Sequence, residues 1–144
     1  MDLFTKTSKM SLVAVVYADG GSRGNPGKAA CGGILYNKKG KTIATFSEYL
    51  GDNMTNNQAE YLGVIHALQL CNEKNITDVV AYLDSKLVVE QLNERWKIKN
   101  EGLRKLAIKA FELMDGFASV KLKHVKREKN KKADALVNQA LDNR

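Results

Sequence analysis

Cysteine, proline and tryptophan are scarce in this chain, with two, one and one among 144 residues. A disulfide framework needs more than that, and Cys31 and Cys71 both sit inside apolar runs, where a free thiol behaves as a small hydrophobe. Two cysteines make no metal-ligand cluster either, and their use suits a reducing compartment. No apolar run reaches the length of a membrane span, and the opening Met1 to Ser11 is polar, carries Lys6 and Lys9, and lacks the apolar stretch of a signal peptide. A soluble cytoplasmic protein without a membrane partner is expected. Internal repeats, linkers and low-complexity segments are also missing, so 12–144 should fold as one domain behind a flexible tail, 1–11, and should be a monomer.

Acids are the minority charge, 16 against 23 Lys and Arg, a balance of +7 that suits a polyanionic partner. Placement says more than the sum. Lys121 to Lys132 holds seven basic residues with one acid, and Arg95 to Lys109 holds six with one, a clustering that resembles a nucleic-acid footprint.

The apolar pattern that is present reads as a mixed sheet. Leu12 to Ala18 is an uninterrupted apolar run, the pattern of a central strand covered on both faces, and Asp19 is expected to end it. Gly20 to Gly27, with Pro26, reads as a turn region, Ala30 to Tyr36 as a second strand, Asn37 to Gly40 as a hairpin turn and Lys41 to Leu50 as a third strand. From Asn57 to Cys71 the spacing of Tyr61, Val64, Ile65 and Leu68 becomes helical. Val79 to Leu83 is a short strand closed by Asp84, followed by helical Lys86 to Leu92, a helix over Gly102 to Phe117 and a strand over Val120 to Val125. Ala133, Leu136, Val137, Ala140 and Leu141 form the stripe of a last helix. Three meander strands followed by alternating helix and strand give an α/β fold: a mixed five-stranded sheet with helices on both faces.

Four acids stand where such a sheet carries chemistry. Ligands bind beyond the carboxyl ends of the strands, where Asp19 and Asp84 lie. Glu60, beside Tyr61, and Asp134, beside Ala133, flank the apolar stripes of their helices and can lean toward the sheet. Taken singly, each has a plain structural reading: an Asp that begins a turn, a Glu on a helix surface, an Asp favoured by a helix dipole. Taken together, ionised carboxylates at this density require a hard cation, and oxygen ligands favour Mg²⁺.

The flanking segments sharpen the choice. Gly20 to Gly27 lacks the Lys-Ser/Thr ending of a phosphate loop, and a strand follows where such a loop needs a helix. Gly20 and Gly21 either form an ordinary glycine turn or expose backbone to a ligand such as a ribose 2′-hydroxyl. Thr55 or Asn56 is the expected N-cap, and the remaining amides of Asn56, Asn57 and Gln58 suit a phosphate and base edges in a minor groove.

Together, Tyr17-Ala18-Asp19-Gly20-Gly21-Ser22 with Gly24-Asn25-Pro26-Gly27, Thr55-Asn56-Asn57-Gln58-Ala59-Glu60, Leu83-Asp84-Ser85 and Arg127 to Asp134 resemble ribonuclease H of type 1. The segments occur in family order and span Tyr17 to about Ala140. The resemblance implies a sheet of order 3-2-1-4-5 and endonucleolytic hydrolysis of the RNA strand of an RNA/DNA hybrid, leaving 5′-phosphate and 3′-hydroxyl ends. It implies Asp19, Glu60, Asp84 and Asp134 as metal-binding catalytic acids, with Asp19 bridging two Mg²⁺ ions roughly 4 Å apart and Mn²⁺ as a substitute. Thr55 and Asn25 would hold the DNA strand, while Gly20, Gly21, Ser22, Asn56, Asn57 and Glu60 would meet the RNA side or the minor groove. Double-stranded RNA is a second implied partner.

Two places depart from the larger family members. Ahead of Asp134, Arg127 is favoured as the fifth catalytic participant, as in a shorter subgroup. His124 has the spacing of the family's mobile histidine but alternates with Val120 and Leu122, as a packed strand residue would. The Asn93 to Glu101 stretch, with Arg95, Trp96, Lys97 and Lys99, replaces a long basic protrusion, and Trp96 is expected to pack. His66, opposite its helix's apolar stripe, is expected to be exposed.

Overall fold

The computed structural model describes residues 11–144. Alternation along one strand divides its architecture into two faces. In Val13–Gly24 (β1), Ala14, Val16, Ala18 and Gly20 are buried, while Val15, Tyr17 and Asp19 on the other face are half-buried. β1 pairs antiparallel with Gly27–Tyr36 (β2), which pairs antiparallel with Thr42–Met54 (β3). Its other edge pairs in parallel with Asp78–Leu83 (β4), and β4 with Ser119–His124 (β5), so the five strands lie in the order β3-β2-β1-β4-β5.

The described residues form four helices: α1 (Asn56–Glu73), α2 (Lys86–Leu92), α3 (Glu101–Met114), which packs on α1 and α2, and α4 (Lys131–Asp142), preceded by a 3-10 turn at Arg127–Lys129. The helical spacing of Tyr61, Val64, Ile65 and Leu68 turns those side chains of α1 onto the buried face of the sheet, where they join Val16, Leu35, Val79, Val88 and Leu103 in one core. α4 lies on the opposite face, where Val137, Ala140 and Leu141 pack with Ala30 and Tyr49. None of the described helices is long and apolar enough to cross a membrane.

Glycine sets the closest approach. A Cβ on Gly20 would stand 2.0 Å from the carbonyl oxygen of Ala59, and one on Gly63 would stand 2.6 Å from that of Asp19. The backbone of α1 therefore rides directly on β1, and Glu60 is carried to the side of Asp19.

Several boundaries differ from the sequence expectation. β1 does not end at Asp19. Its parallel pairing with β4 stops at Ala18 opposite Leu83, but its ladder with β2 runs on to Gly24, leaving only Asn25 and Pro26 as the turn. The glycine-rich segment is thus strand, because an antiparallel partner satisfies its backbone and overrides the local turn preference. β3 continues four residues past Leu50 to Met54, and α3 stops at Met114 instead of Phe117. Of the expected tail, 1–10 lie outside the described residues, while Ser11 belongs to the fold: its hydroxyl donates to Asp78 Oδ2 at 2.8 Å.

Candidate active site

Three elements deliver three carboxylates to one point. Asp19 is the first residue of β1 beyond the parallel pairing, and its Oδ1 accepts from the Gly20 N–H at 2.9 Å. Glu60 stands near the start of α1, which a reciprocal cap fixes in place. The Thr55 hydroxyl accepts from the Gln58 N–H at 3.1 Å, and Gln58 Oε1 accepts from the Thr55 N–H at 2.9 Å. Asp84 follows β4 directly, and Ser85 then caps α2 by accepting from the Val88 N–H at 3.3 Å. One carboxylate oxygen from each of Asp19, Glu60 and Asp84 lies within 4.8 Å of the other two.

Burial and crowding act on these acids in the same direction. Burial, followed by the Asp84 charge, raises the Asp19 carboxyl to about 8, and Asp134 and Glu60 add to the rise. Burial raises Glu60 to about 7, partly offset by a hydrogen bond with Ser85 and by the Arg127 charge. The cluster thus holds protons near neutrality that a divalent cation would displace. Half-buried donors that are all hard oxygens fit such an ion.

Asp134 is not in that trio. It sits in the first turn of α4, flanking Asp19 closely enough to raise it, and its backbone carbonyl accepts from Asn138 Nδ2 at 3.1 Å. The residue that ties it to the others had no assigned role in the sequence reading. Asn130 is buried, and its Nδ2 donates to the Ala18 carbonyl at 2.9 Å and to Asp84 Oδ2 at 3.3 Å. Its backbone carbonyl accepts from the Asp134 N–H at 3.1 Å. One asparagine thereby links the segments carrying Asp19, Asp84 and Asp134. Its only sequence signal is an Asn just ahead of the last helix.

A polar rim continues from the acids. The Ser22 N–H donates to Asn56 Oδ1 at 3.2 Å and the Asn56 N–H to Asn25 Oδ1 at 3.0 Å, which stitches the β1–β2 turn to the start of α1. Thr55 is the N-cap, Asn57 is exposed and Gly21 is half-buried. Gly20 departs from the reading of exposed backbone: it is buried under α1, so its missing side chain serves helix packing.

Arg127 is exposed in the 3-10 turn, where its charge reaches Glu60. His124 is exposed at the end of β5, not packed as expected, and lies toward Glu90. Trp96 is 45% exposed, against the expectation that it packs. His66, expected to be exposed, is half-buried and stacks on Phe46 with ring centroids 6.3 Å apart, and burial lowers its pKa.

The chain matches the family described as reverse transcriptase-like over residues 17–140. It is 41% identical over 128 residues to the bifunctional protein Rv2228c of Mycobacterium tuberculosis, covering 89% of this chain and 35% of that protein. It thus spans about a third of the length of that relative, and 63% of ribonuclease HI of Halobacterium salinarum, to which it is 42% identical over 126 residues, 88% of this chain. The crystal structure of RNase H1 from that archaeon superposes with a TM-score of 0.89 at 39% identity, covering 92% of this chain and 99% of the other. LC11-RNase H1, solved in complex with RNA/DNA hybrid, superposes with a TM-score of 0.85 at 35% identity, covering 90% and 97% of the two chains.

Proposed function

We infer the function from one premise: this chain belongs to the ribonuclease H family, in its type 1 branch. It hydrolyses the RNA strand of RNA/DNA hybrids as an endonuclease, with 12–144 as its catalytic domain, and leaves 5′-phosphate and 3′-hydroxyl ends. The observation that carries this reading is the convergence of Asp19, Glu60 and Asp84 within 4.8 Å, on the fold that serves LC11-RNase H1 in its complex with RNA/DNA hybrid.

Asp19, Glu60, Asp84 and Asp134 would hold two Mg²⁺, with Mn²⁺ as a substitute. When bound, the ions supply an activated water and neutralise charge on the leaving 3′-oxygen. The protein's own groups do the rest. Asn130 orients the Asp84 carboxylate, Ser85 holds Glu60, and the exposed Arg127 places a cation beside Glu60 where it can meet a phosphate. Arg127 is thereby preferred to His124, which stands by Glu90. The rim of Gly21, Ser22, Asn56 and Asn57 offers donors and acceptors for 2′-hydroxyls and minor-groove edges, while Asn25 and Thr55 take a phosphate of the DNA strand. The Gly20 backbone contributes by position, since it lies under α1. Double-stranded RNA shares the 2′-hydroxyls and is a second substrate candidate. The protein acts as a monomer in the cytoplasm.

The test is cleavage of a labelled panel of hybrid, double-stranded RNA, double-stranded DNA and a duplex with a single ribonucleotide, with Mg²⁺ and Mn²⁺ varied. Hybrid should be cut fastest. All-DNA duplex cut as fast as hybrid would overturn the substrate assignment.

A further inference from the structure

The half of the sheet beside α4 carries a groove that the acids do not use. Its volume is about 550 Å³, within the roughly 300–1,000 Å³ of ligand pockets. Its floor is the β1 face that bears Asp19: Val15 and Tyr17, with Ile34 and Tyr36 of β2 opposite them in register. Tyr82 of β4 pairs with Tyr17, the two rings stacking with centroids 5.1 Å apart and planes 20° apart. Tyr36 meets Tyr17 edge-on at 6.2 Å. Three of the chain's five tyrosines are thus gathered, half-buried, on one open sheet face.

The rim is basic. Lys38 on the β2–β3 turn, Lys129 in the 3-10 turn, and Lys131 and Lys132 at the start of α4 line the groove against a single acid, Glu128. All four lysines are exposed, and none forms an ion pair among the described residues. Beyond Tyr82, Lys123 stands opposite it in register and Lys121 opposite Val80, so both extend the same face with positive charge. Aromatic rings on a sheet bordered by exposed lysines meet the two needs of an unpaired strand: π-faces for bases and cations for phosphates. A duplex hides its base faces and cannot use the tyrosines.

We propose that this groove is a second nucleic-acid site, which binds single-stranded nucleic acid by stacking a base on Tyr36, beside the Tyr17–Tyr82 stack, with phosphates along Lys38, Lys129 and Lys132. Tyr17 precedes Asp19 by two residues on the same face, so a strand lying in the groove continues toward the acids. The site goes beyond hybrid cleavage, and its test is a binding measurement that does not need the acids to work.

The 144-residue protein in EDTA is titrated into labelled single-stranded RNA and DNA 12-mers and read by fluorescence anisotropy. Tyr36→Leu, which keeps an apolar side chain, should weaken binding about tenfold, the scale of a single base stack, and Tyr36→Phe should restore it. The surface pair Lys38→Glu with Lys132→Glu should weaken binding and flatten its salt dependence, by roughly 0.7 in logarithmic slope for each phosphate left without its lysine. RNA and DNA should bind comparably, because stacking does not read the 2′-hydroxyl. Unchanged affinity in Tyr36→Leu and in the lysine pair overturns the proposal. So does an absence of single-strand binding together with a dimer that Tyr36→Leu disperses, which would give the face to a second copy of the chain. Hybrid cleavage in Mg²⁺ is measured in parallel. Its loss in the parent protein with intact single-strand binding counts against the catalytic reading alone.

Discussion

At the scale of single residues, the four acids and Asn130 divide what a sequence displays from what only a fold reveals. Asp84 adds charge to a crowded, half-buried cluster, and replacing it by an amide of the same shape removes a candidate cation ligand without leaving a cavity. Asp84→Asn should abolish hybrid cleavage while hybrid binding, measured without metal, persists. Cleavage equal to that of the parent would remove Asp84 from the site. Asn130 makes a different prediction. Its amide donates to a carbonyl 112 positions away, so Asn130→Ala leaves Ala18 without that partner and frees the Asp84 carboxylate. Stability should fall by about 1–3 kcal/mol in chemical denaturation, the cost of an unsatisfied buried group, and cleavage should fall further than stability accounts for. Full activity in a destabilised protein would make Asn130 purely structural. The convergence of Asp19, Glu60 and Asp84 was legible because each ends or flanks an apolar pattern, whereas Asp134 stands outside that trio. Asn130 was not, because nothing local distinguishes it from an ordinary residue ahead of a helix.

At the scale of elements, the site depends on the contact between α1 and β1. Helical and strand periods were readable wherever burial was one-sided, as in α1 and the short β4, whose limits fall within a residue or two of expectation. The glycine-rich half of β1 was not, since its strand character comes from pairing with β2 and not from its own side chains. α1 packs on this strand with Gly20 against Ala59, and Gly63 against Asp19 on the return contact. Gly63→Ala would set a methyl 2.6 Å from the Asp19 carbonyl oxygen, a backbone atom that cannot step aside cheaply. α1 must lift, at about 1–3 kcal/mol for overpacking, and Glu60 must leave Asp19. Cleavage and denaturant stability should drop together. A protein unchanged in both would mean that α1 approaches β1 less closely than these distances require.

At the scale of the whole molecule, the buried acids couple stability to pH and to metal. Asp19 and Glu60 are raised to about 8 and about 7 from ordinary values of 3.8 and 4.5, so the folded protein holds protons that the unfolded chain has released. Stability from these protons is fully present below about pH 4 and is lost as pH rises through 7 and 8. His66 works with the opposite sign: its lowered pKa makes stability rise as pH climbs toward 6.5 and then level off. The buried thiols of Cys31 and Cys71, pushed to about 12, add losses only above their ordinary value of 9. Between pH 7 and 8.5 the acid cluster therefore dominates the slope, and the metal-free protein should lose melting temperature across that window. A divalent cation held by the ionised cluster would stabilise the folded state by mass action, an effect that grows as the competing protons leave. Thermal unfolding with and without Mg²⁺ should show a metal-induced rise in Tm that increases from pH 7 to 8.5 and vanishes near pH 5. A rise of constant size at every pH would mean that the cation binds elsewhere on this basic molecule, because only a site that must shed protons can tie metal affinity to that window.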